Sequence, residues 1–436
     1  MNKFKNNILF KNILILLISG AISKVIGMIG KITYTRIAGV NIVALYALIT
    51  PTLMLIITIV QFSFPISISK LSAEGKYKND DLLKNAYLVA SFVNIILIII
   101  IGLSSKLIAD MLHNKALYKA ILSIIPIIPF VAISSIQRGF LHGKEDMMPA
   151  GISNIVEEIV KILLIIILLP IFAKKDNITA IICLILFNII TEIISIVIMK
   201  KTIKKKYISN SDKGIIKKNI IKDIISISLP TTSVRLISSV GFFLEPIILT
   251  NILLKTGYTL NYITLEYGII NSYIIPLLSV PSFFSISIAS ALLPNITKAY
   301  HNKRYKEFNS KLLKLMILSL LVGMICLIFI MIMPDKILTL IYNANYGINY
   351  IYLIGPFFLI LYMQPTLSVA MQAMNKTNHL FIVSIVSIII KYTILTISGL
   401  MGSGMNSLIY SIMTGIIVTT SMMIYIILKE LKKANV

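Results

Sequence analysis

Two lysines fall inside an apolar stretch where charge is costly, and their spacing brings them together. Gly20, Lys24, Gly27, Lys31 and Thr35 follow i, i+4, i+7, i+11 and i+15, so a helix carries all five on one narrow face. An ionisable group deep in hydrocarbon costs roughly 2.5–3.5 kcal/mol on the insertion scale, so it faces a partner or a water-filled cavity. A face that is basic and otherwise small would attract a phosphate or another anion. Its plainer reading is a helix-packing seam whose lysines snorkel toward headgroups. Lys24 lies about fourteen residues into its apolar run, too deep for easy snorkelling, which favours a cationic cavity wall.

Carboxylates occur in similar settings. Glu157 and Glu158 stand four and three residues before Lys161, within reach on one helix surface. Self-neutralisation is one reading, but one lysine cannot neutralise two carboxylates, and the surplus could bind a cation or a proton. Arg235 and Glu245 lie about 80° apart on a helical wheel, and a kink at Pro246 could bring them to one cavity. Arg235 is then expected to join Lys24 and Lys31 in holding an anion, while Glu245, Glu157 and Glu158 couple to a cation or proton. A static Arg235–Glu245 pair that locks the kink is the alternative. Arg138 and Glu192 lie near helix ends and read as interfacial, and Lys391 has no partner that spacing alone assigns.

The signatures of catalysis are missing. There is no phosphate loop and no HExxH, and the four histidines (His113, His142, His301, His379) are scattered near loops. Cys183 and Cys326 sit in mid-helix apolar runs, where a lone cysteine behaves as a small hydrophobe. The expectation is a protein that is not an enzyme, with no cofactor, no metal and no disulfide.

The elements that must position these residues are membrane helices. Of 436 residues 57% are hydrophobic and 13% charged, and the mean hydropathy is +0.92. Long apolar runs broken by short charged segments fill nearly the whole chain, which gives an all-α, polytopic membrane protein and excludes a β-barrel. Twelve spans are expected, at about 10–37, 42–69, 84–112, 118–140, 148–173, 177–199, 222–254, 262–293, 310–333, 349–374, 380–400 and 406–428. Most of the 41 lysines and arginines fall at the termini and in the loops after even-numbered helices, so both termini are expected in the cytoplasm. Lys213 and Tyr305 would then be cytoplasmic, and Lys175 and Asp335 extracytoplasmic. The net charge of +24 reads as these topology signals and as contact with anionic lipid at the cytoplasmic face, not as a nucleic-acid site.

The chain repeats itself. A run that crosses Pro51 and Pro65 and exits through Ile68-Ser69-Lys70 and Lys76-Tyr77-Lys78 is echoed by one that crosses Pro276 and Pro281, reaches Pro294, and exits through Ile296-Thr297-Lys298 and Arg304-Tyr305-Lys306. Pro126 leads to His142-Gly143 as Pro356 leads to Gln372-Ala373. The expected organisation is two six-helix lobes, 1–205 and 206–436, divided at a basic cytoplasmic linker of about 200–222. Six spans per copy is an even number, so the repeat is parallel, a pseudo-two-fold about an axis along the membrane normal.

The stretch ISKVIGMIGKITYTRIAG, followed by LYALITP and PISISKLSAEGKYKNDDLLKNA, resembles the opening of the stage V sporulation protein B family. That family lies within the multidrug/oligosaccharidyl-lipid/polysaccharide exporter superfamily. QRGFLHGKEDMMPA, SLPTTSVRLISSV and ASALLPNITKAYHNKRYKEF extend the resemblance over nearly the whole chain. It implies a flippase of polyprenyl-diphosphate-linked saccharides, for cell-wall, spore-cortex or polysaccharide synthesis, working by alternating access around a V-shaped cavity. The lipid II flippases are similar across helix one, and their first arginine there falls on Lys24. Their further arginines, near Gly30, Leu55 and Leu277, have no counterpart in this sequence.

The leading expectation is therefore a monomeric flippase in the cell membrane whose partners are a lipid-linked saccharide and the bilayer. A proton- or sodium-coupled multidrug exporter of the same superfamily is the alternative. A membrane-embedded polymerase or transferase is a third, for which the extracytoplasmic loops are mostly too short.

Overall fold

Every apolar run of membrane-spanning length becomes a helix, and no strand occurs among the described residues of the computed structural model. It describes the backbone of residues 2–208 and 214–434, and the side chains of 19–208 and 214–433 apart from 290, 291 and 294. Lys213, expected in the cytoplasm, lies outside the described residues. By compactness the chain divides into Met1–Phe243 and Leu244–Val436.

The first unit holds α1 (Asn2–Gln61), α2 (Phe64–Glu74), α3 (Asn79–Met111), α4 (Leu117–Leu122), α5 (Ile128–Gly143), α6 (Met147–Ala173), α7 (Asn177–Lys206) and the first part of α8 (Lys218–Lys255). The second holds the rest of α8, α9 (Leu260–Ile269), α10 (Ile275–His301), α11 (Tyr305–Ile332), α12 (Pro334–Tyr342), α13 (Ile348–Leu361), α14 (Gln364–Ala373), α15 (Thr377–Leu400) and α16 (Asn406–Ala434). Ten helical stretches among the described residues are long and apolar enough to cross a membrane. One of them contains both arms of α1, divided at Gly39, and α6 adds another despite carrying Glu157, Glu158 and Lys161. Counted so, the spans are the expected twelve.

Local chemistry explains where the helices break. Gly39 takes φ 75° and ψ 163°, a conformation that a residue with a Cβ avoids, and so separates the two arms of α1. Phe62 and Ser63 also have positive φ, 42° and 47°, although neither is glycine. They stand just ahead of Pro65, which cannot donate to the helical ladder, and the Ser63 carbonyl instead accepts from the Ile66 and Ser67 amides that open α2. In the second unit Pro276 has the same deficiency, and the chain absorbs it as one π-helical turn, Ile270–Ile274.

Each unit is built on the same neighbour pairs. In the first, α2 packs on α5 and α6 on α7; in the second, α10 packs on α14 and α15 on α16. Gly139 makes the α2–α5 approach possible, since a Cβ there would lie 2.8 Å from the Phe64 carbonyl oxygen and 2.9 Å from Pro65 Cα. In the second unit the Tyr362 ring fills the space beside Gly323, and its hydroxyl donates to the Leu278 carbonyl at 2.6 Å.

Residues beyond the basic linker are tied back to the first compact unit. The Asp81 carboxylate accepts from the Ile215 amide at 2.6 Å and from Lys217 Nζ at 2.7 Å, while Asn85 bonds the backbone of both residues. The opening of α8 then runs along helix two through a line of polar contacts. Asp223 accepts from Lys76 at 2.9 Å and Tyr77 at 2.6 Å, Ser228 donates to Ser67 at 2.7 Å, Thr232 donates to Ser63 at 3.1 Å, and Thr58 meets Ser239 at 2.9 Å. Asp223 in turn holds the Lys76 ammonium above the ordinary lysine range.

Candidate functional site

The basic face of α1 exists as a helical surface, and it packs along α6. Lys24 is exposed and Lys31 half-buried. Between them Gly27 brings α1 so close to α6 that a Cβ on it would stand 3.3 Å from Glu158 Oε2. Gly30 likewise meets Ile162, with a Cβ 3.2 Å from its Cγ1. The glycines of this face thus form a close packing seam with α6, and the seam sets the Glu158 carboxylate against the Lys24–Lys31 surface.

Glu157, Glu158 and Lys161 do not simply neutralise one another. Glu157 turns to α5, where Arg138 donates to it at 2.6 Å while also reaching Ser195 of α7 at 3.2 Å. Lys161 donates to Asn188 of α7 at 3.0 Å. Glu192 lies beside Arg138 and Ser134, and its Oε2 is buried without a hydrogen-bond partner. Arg138 and Glu192, expected near helix ends, thus enter a half-buried network among α5, α6 and α7, where Glu157 and Ser195 satisfy the guanidinium.

Arg235 is exposed on α8 and donates to Gln61, the last residue of α1, at 2.7 Å. Lys24, Lys31 and Arg235 all belong to the first compact unit, although the sequence repeat would have put Arg235 in the second lobe. Glu245 is the charged residue whose surroundings differ most from expectation. Its carboxylate is almost fully buried, with Oε2 accepting from Lys391 of α15 and Oε1 accepting from the Tyr267 hydroxyl at 3.3 Å. The ion pair considered from sequence, Arg235 with Glu245, is replaced by Lys391 with Glu245. That pair is 146 residues apart in the chain, and no local spacing could have revealed it.

Residues 9–300 match the family of polysaccharide biosynthesis proteins, about two thirds of the chain. The chain belongs to that family. Residues 270–397 also match the MatE family. Among curated relatives, Stage V sporulation protein B of Bacillus subtilis (strain 168) is 28% identical over 430 residues, covering 94% of this chain and 82% of the relative. Sporulation protein YkvU of the same organism is 24% identical over 437 residues, covering 99% and 96%. A multidrug resistance MATE family transporter of the MOP superfamily, solved in an inward-facing conformation, has a TM-score of 0.74 at 13% identity, covering 94% of this chain and 95% of the other. The lipid II flippase MurJ, in an inward closed conformation, has a TM-score of 0.71 at 16% identity, covering 97% and 90%. At these identities the two structures establish the fold. Taken with the family match, the protein is a multi-pass membrane transporter of the multidrug/oligosaccharidyl-lipid/polysaccharide flippase superfamily.

Proposed function

We propose that this transporter moves a polyprenyl-diphosphate-linked saccharide across the cell membrane, as a monomer with both termini in the cytoplasm and its basic loops against anionic headgroups. The observation that carries the proposal is the exposed Lys24 on a membrane-spanning helix, one helical face from Lys31. A diphosphate is the anion that such a face suits: compact, multiply charged and carried on a lipid that already lies in the bilayer. Arg235 is a third cation of the same unit. Glu158, set against this face, would offset part of its charge when no substrate is bound. Glu157, Glu158 and Glu245 are the carboxylates proposed to couple the cycle to a proton or cation. The relatives named for sporulation and for capsular polysaccharide biosynthesis support a wall or surface glycan as cargo.

The test uses proteoliposomes and a fluorescent polyprenyl diphosphate saccharide. Lys24→Ala with Lys31→Ala should abolish translocation at normal protein abundance, and Lys24→Arg should retain most of it, because the guanidinium keeps the charge. A normal rate in the double variant would refute the assignment.

A second reading, proton- or sodium-coupled export of cationic drugs, is favoured by the MatE match and by three half-buried carboxylates, Glu157, Glu158 and Glu192, in one unit. Vesicles loaded with a fluorescent lipophilic cation would reveal it, if the dye moves only when a proton or sodium gradient is imposed.

A further inference from the structure

The second unit contains a cavity of about 510 Å³ among α10, the α13–α14 junction and α16. That volume lies within the range of small-molecule sites, about 300–1,000 Å³. Its polar lining is Ser282, Gln364, Ser368 and Gln372, and its apolar lining includes Pro365 and Met423; among the described residues none of the lining is ionisable. This composition is opposite to that of the α1 face. An anion would find no counter-charge here, and a purely apolar chain would strand four polar side chains.

The polar groups are held ready for use. Gln364 Nε2 is anchored by Thr420 Oγ1 at 3.1 Å and by the Ile416 carbonyl at 3.4 Å, which fixes the amide at the wall. Gln372 Nε2 donates to Ser368 Oγ at 3.3 Å, and the Gln372 side chain is exposed. The Ser282 hydroxyl oxygen is buried with no hydrogen-bond partner. A buried polar atom left alone costs about 1–3 kcal/mol, so this hydroxyl marks a place where a ligand group can complete the bonding.

We propose that this cavity binds an uncharged carbohydrate ring, with Gln372, Ser368 and Ser282 hydrogen-bonding its hydroxyl or acetamido groups and the apolar side chains contacting its C–H faces. The choice follows from the chemistry of the lining alone: neutral amides and hydroxyls pair with a sugar's hydroxyl and acetamido groups and offer no counter-charge to a phosphate. The proposal rests on the lipid-linked saccharide reading above.

Its test measures binding of two short-chain polyprenyl diphosphates, one carrying an N-acetylglucosamine disaccharide and one bare, to the purified full-length protein. The wild type should bind the glycosylated probe about tenfold more tightly, the worth of one or two hydrogen bonds. Gln372→Ala with Ser368→Ala should erase that preference and leave the bare probe's affinity unchanged. Ser282→Ala should weaken the preference without loss of thermal stability, because the hydroxyl has no internal partner to lose; it also serves if the first variant fails to fold. A sugar preference that survives both variants overturns the site and leaves the substrate reading standing. Equal binding of the two probes by the wild type also overturns the site alone, whereas binding of neither overturns both.

Discussion

Lys391 on α15 donates to the buried carboxylate of Glu245 on α8, and the Tyr267 hydroxyl occupies the other carboxylate oxygen. A charge so enclosed is tolerated only while its partner stays, so the two residues are energetically one unit. Lys391→Met alone should cost about 3–5 kcal/mol, seen as a lower unfolding temperature of the detergent-solubilised protein. Adding Glu245→Gln should recover most of the loss, whereas an equally unstable double variant would mean that the lysine acts through packing and not through charge.

The same carboxylate separates a coupling role from a static one. If Glu245 couples substrate movement to an ion gradient, Glu245→Gln transports at a rate indifferent to the gradient while substrate binding persists. If it only holds α15 to α8, the amide variant chiefly lowers the amount of folded protein. Normal transport with intact gradient dependence would remove Glu245 from the coupling machinery.

Glu158 stands against the seam between Lys24 and Lys31. Removing its charge should leave the α1 face more positive, so Glu158→Gln is expected to tighten binding of a bare polyprenyl diphosphate several-fold at low salt, with the gain shrinking as ionic strength rises. Titrations at two salt concentrations would check this, and a weakened affinity would show that Glu158 supports the face and does not offset it.

Glycine substitutions should divide by what they meet. Gly139→Ala drives a methyl group into the backbone of α2, which cannot swing aside as a side chain would, and should cost about 1–3 kcal/mol. Gly102→Ala, in α3 with nothing within 4 Å of the added carbon, should instead stabilise by roughly 0.5–1 kcal/mol through helix propensity. Thermal unfolding of both variants would compare the two effects directly.

Asp176 caps α7, its carboxylate accepting from the Thr179 amide at 2.8 Å and from the Thr179 hydroxyl, and these bonds hold its pKa below the usual carboxylate value. A folded-state pKa that is depressed stabilises the helix start above the unfolded-state value, about 3.9, and the benefit disappears as pH falls through the folded-state value. Protection of the amides in the first turn of α7, measured against the intrinsic exchange rate at each pH, should therefore fall at acid pH. Asp176→Asn should cap with little pH dependence in the same range, and an unchanged pH profile in that variant would remove the carboxylate as the cause.

What the sequence made legible was whatever short-range spacing controls. Apolar runs of span length located twelve helices, and i, i+4 and i+7 spacing put Lys24, Gly27 and Lys31 on one surface. Partners that depend on folding were not legible: Lys391 for Glu245, Gln61 for Arg235 and Ser195 for Arg138 lie 146, 174 and 57 residues away. The break at Phe62–Ser63 was also hidden, since proline tolerance in membrane helices gives no indication of which residue takes the left-handed conformation. Nor could composition show that the opening of α8 belongs with the first unit, because serine and threonine in an apolar run read as ordinary helix residues until their partners are known.

That last arrangement bears on how the protein is made. Six spans leave the ribosome before α8, yet the Ser63 and Ser67 hydroxyls of the second span meet Thr232 and Ser228, and Tyr77 and Asp81 beyond that span meet Asp223 and Ile215. Until those residues emerge, the nascent first half lacks these partners, and its folding must wait for part of the second half to be translated. A fragment ending at Tyr207 should accordingly be degraded when expressed alone and rescued by co-expression of a fragment beginning near Gly214, so that the two halves of the repeat are separable as genetic units but not as folding units.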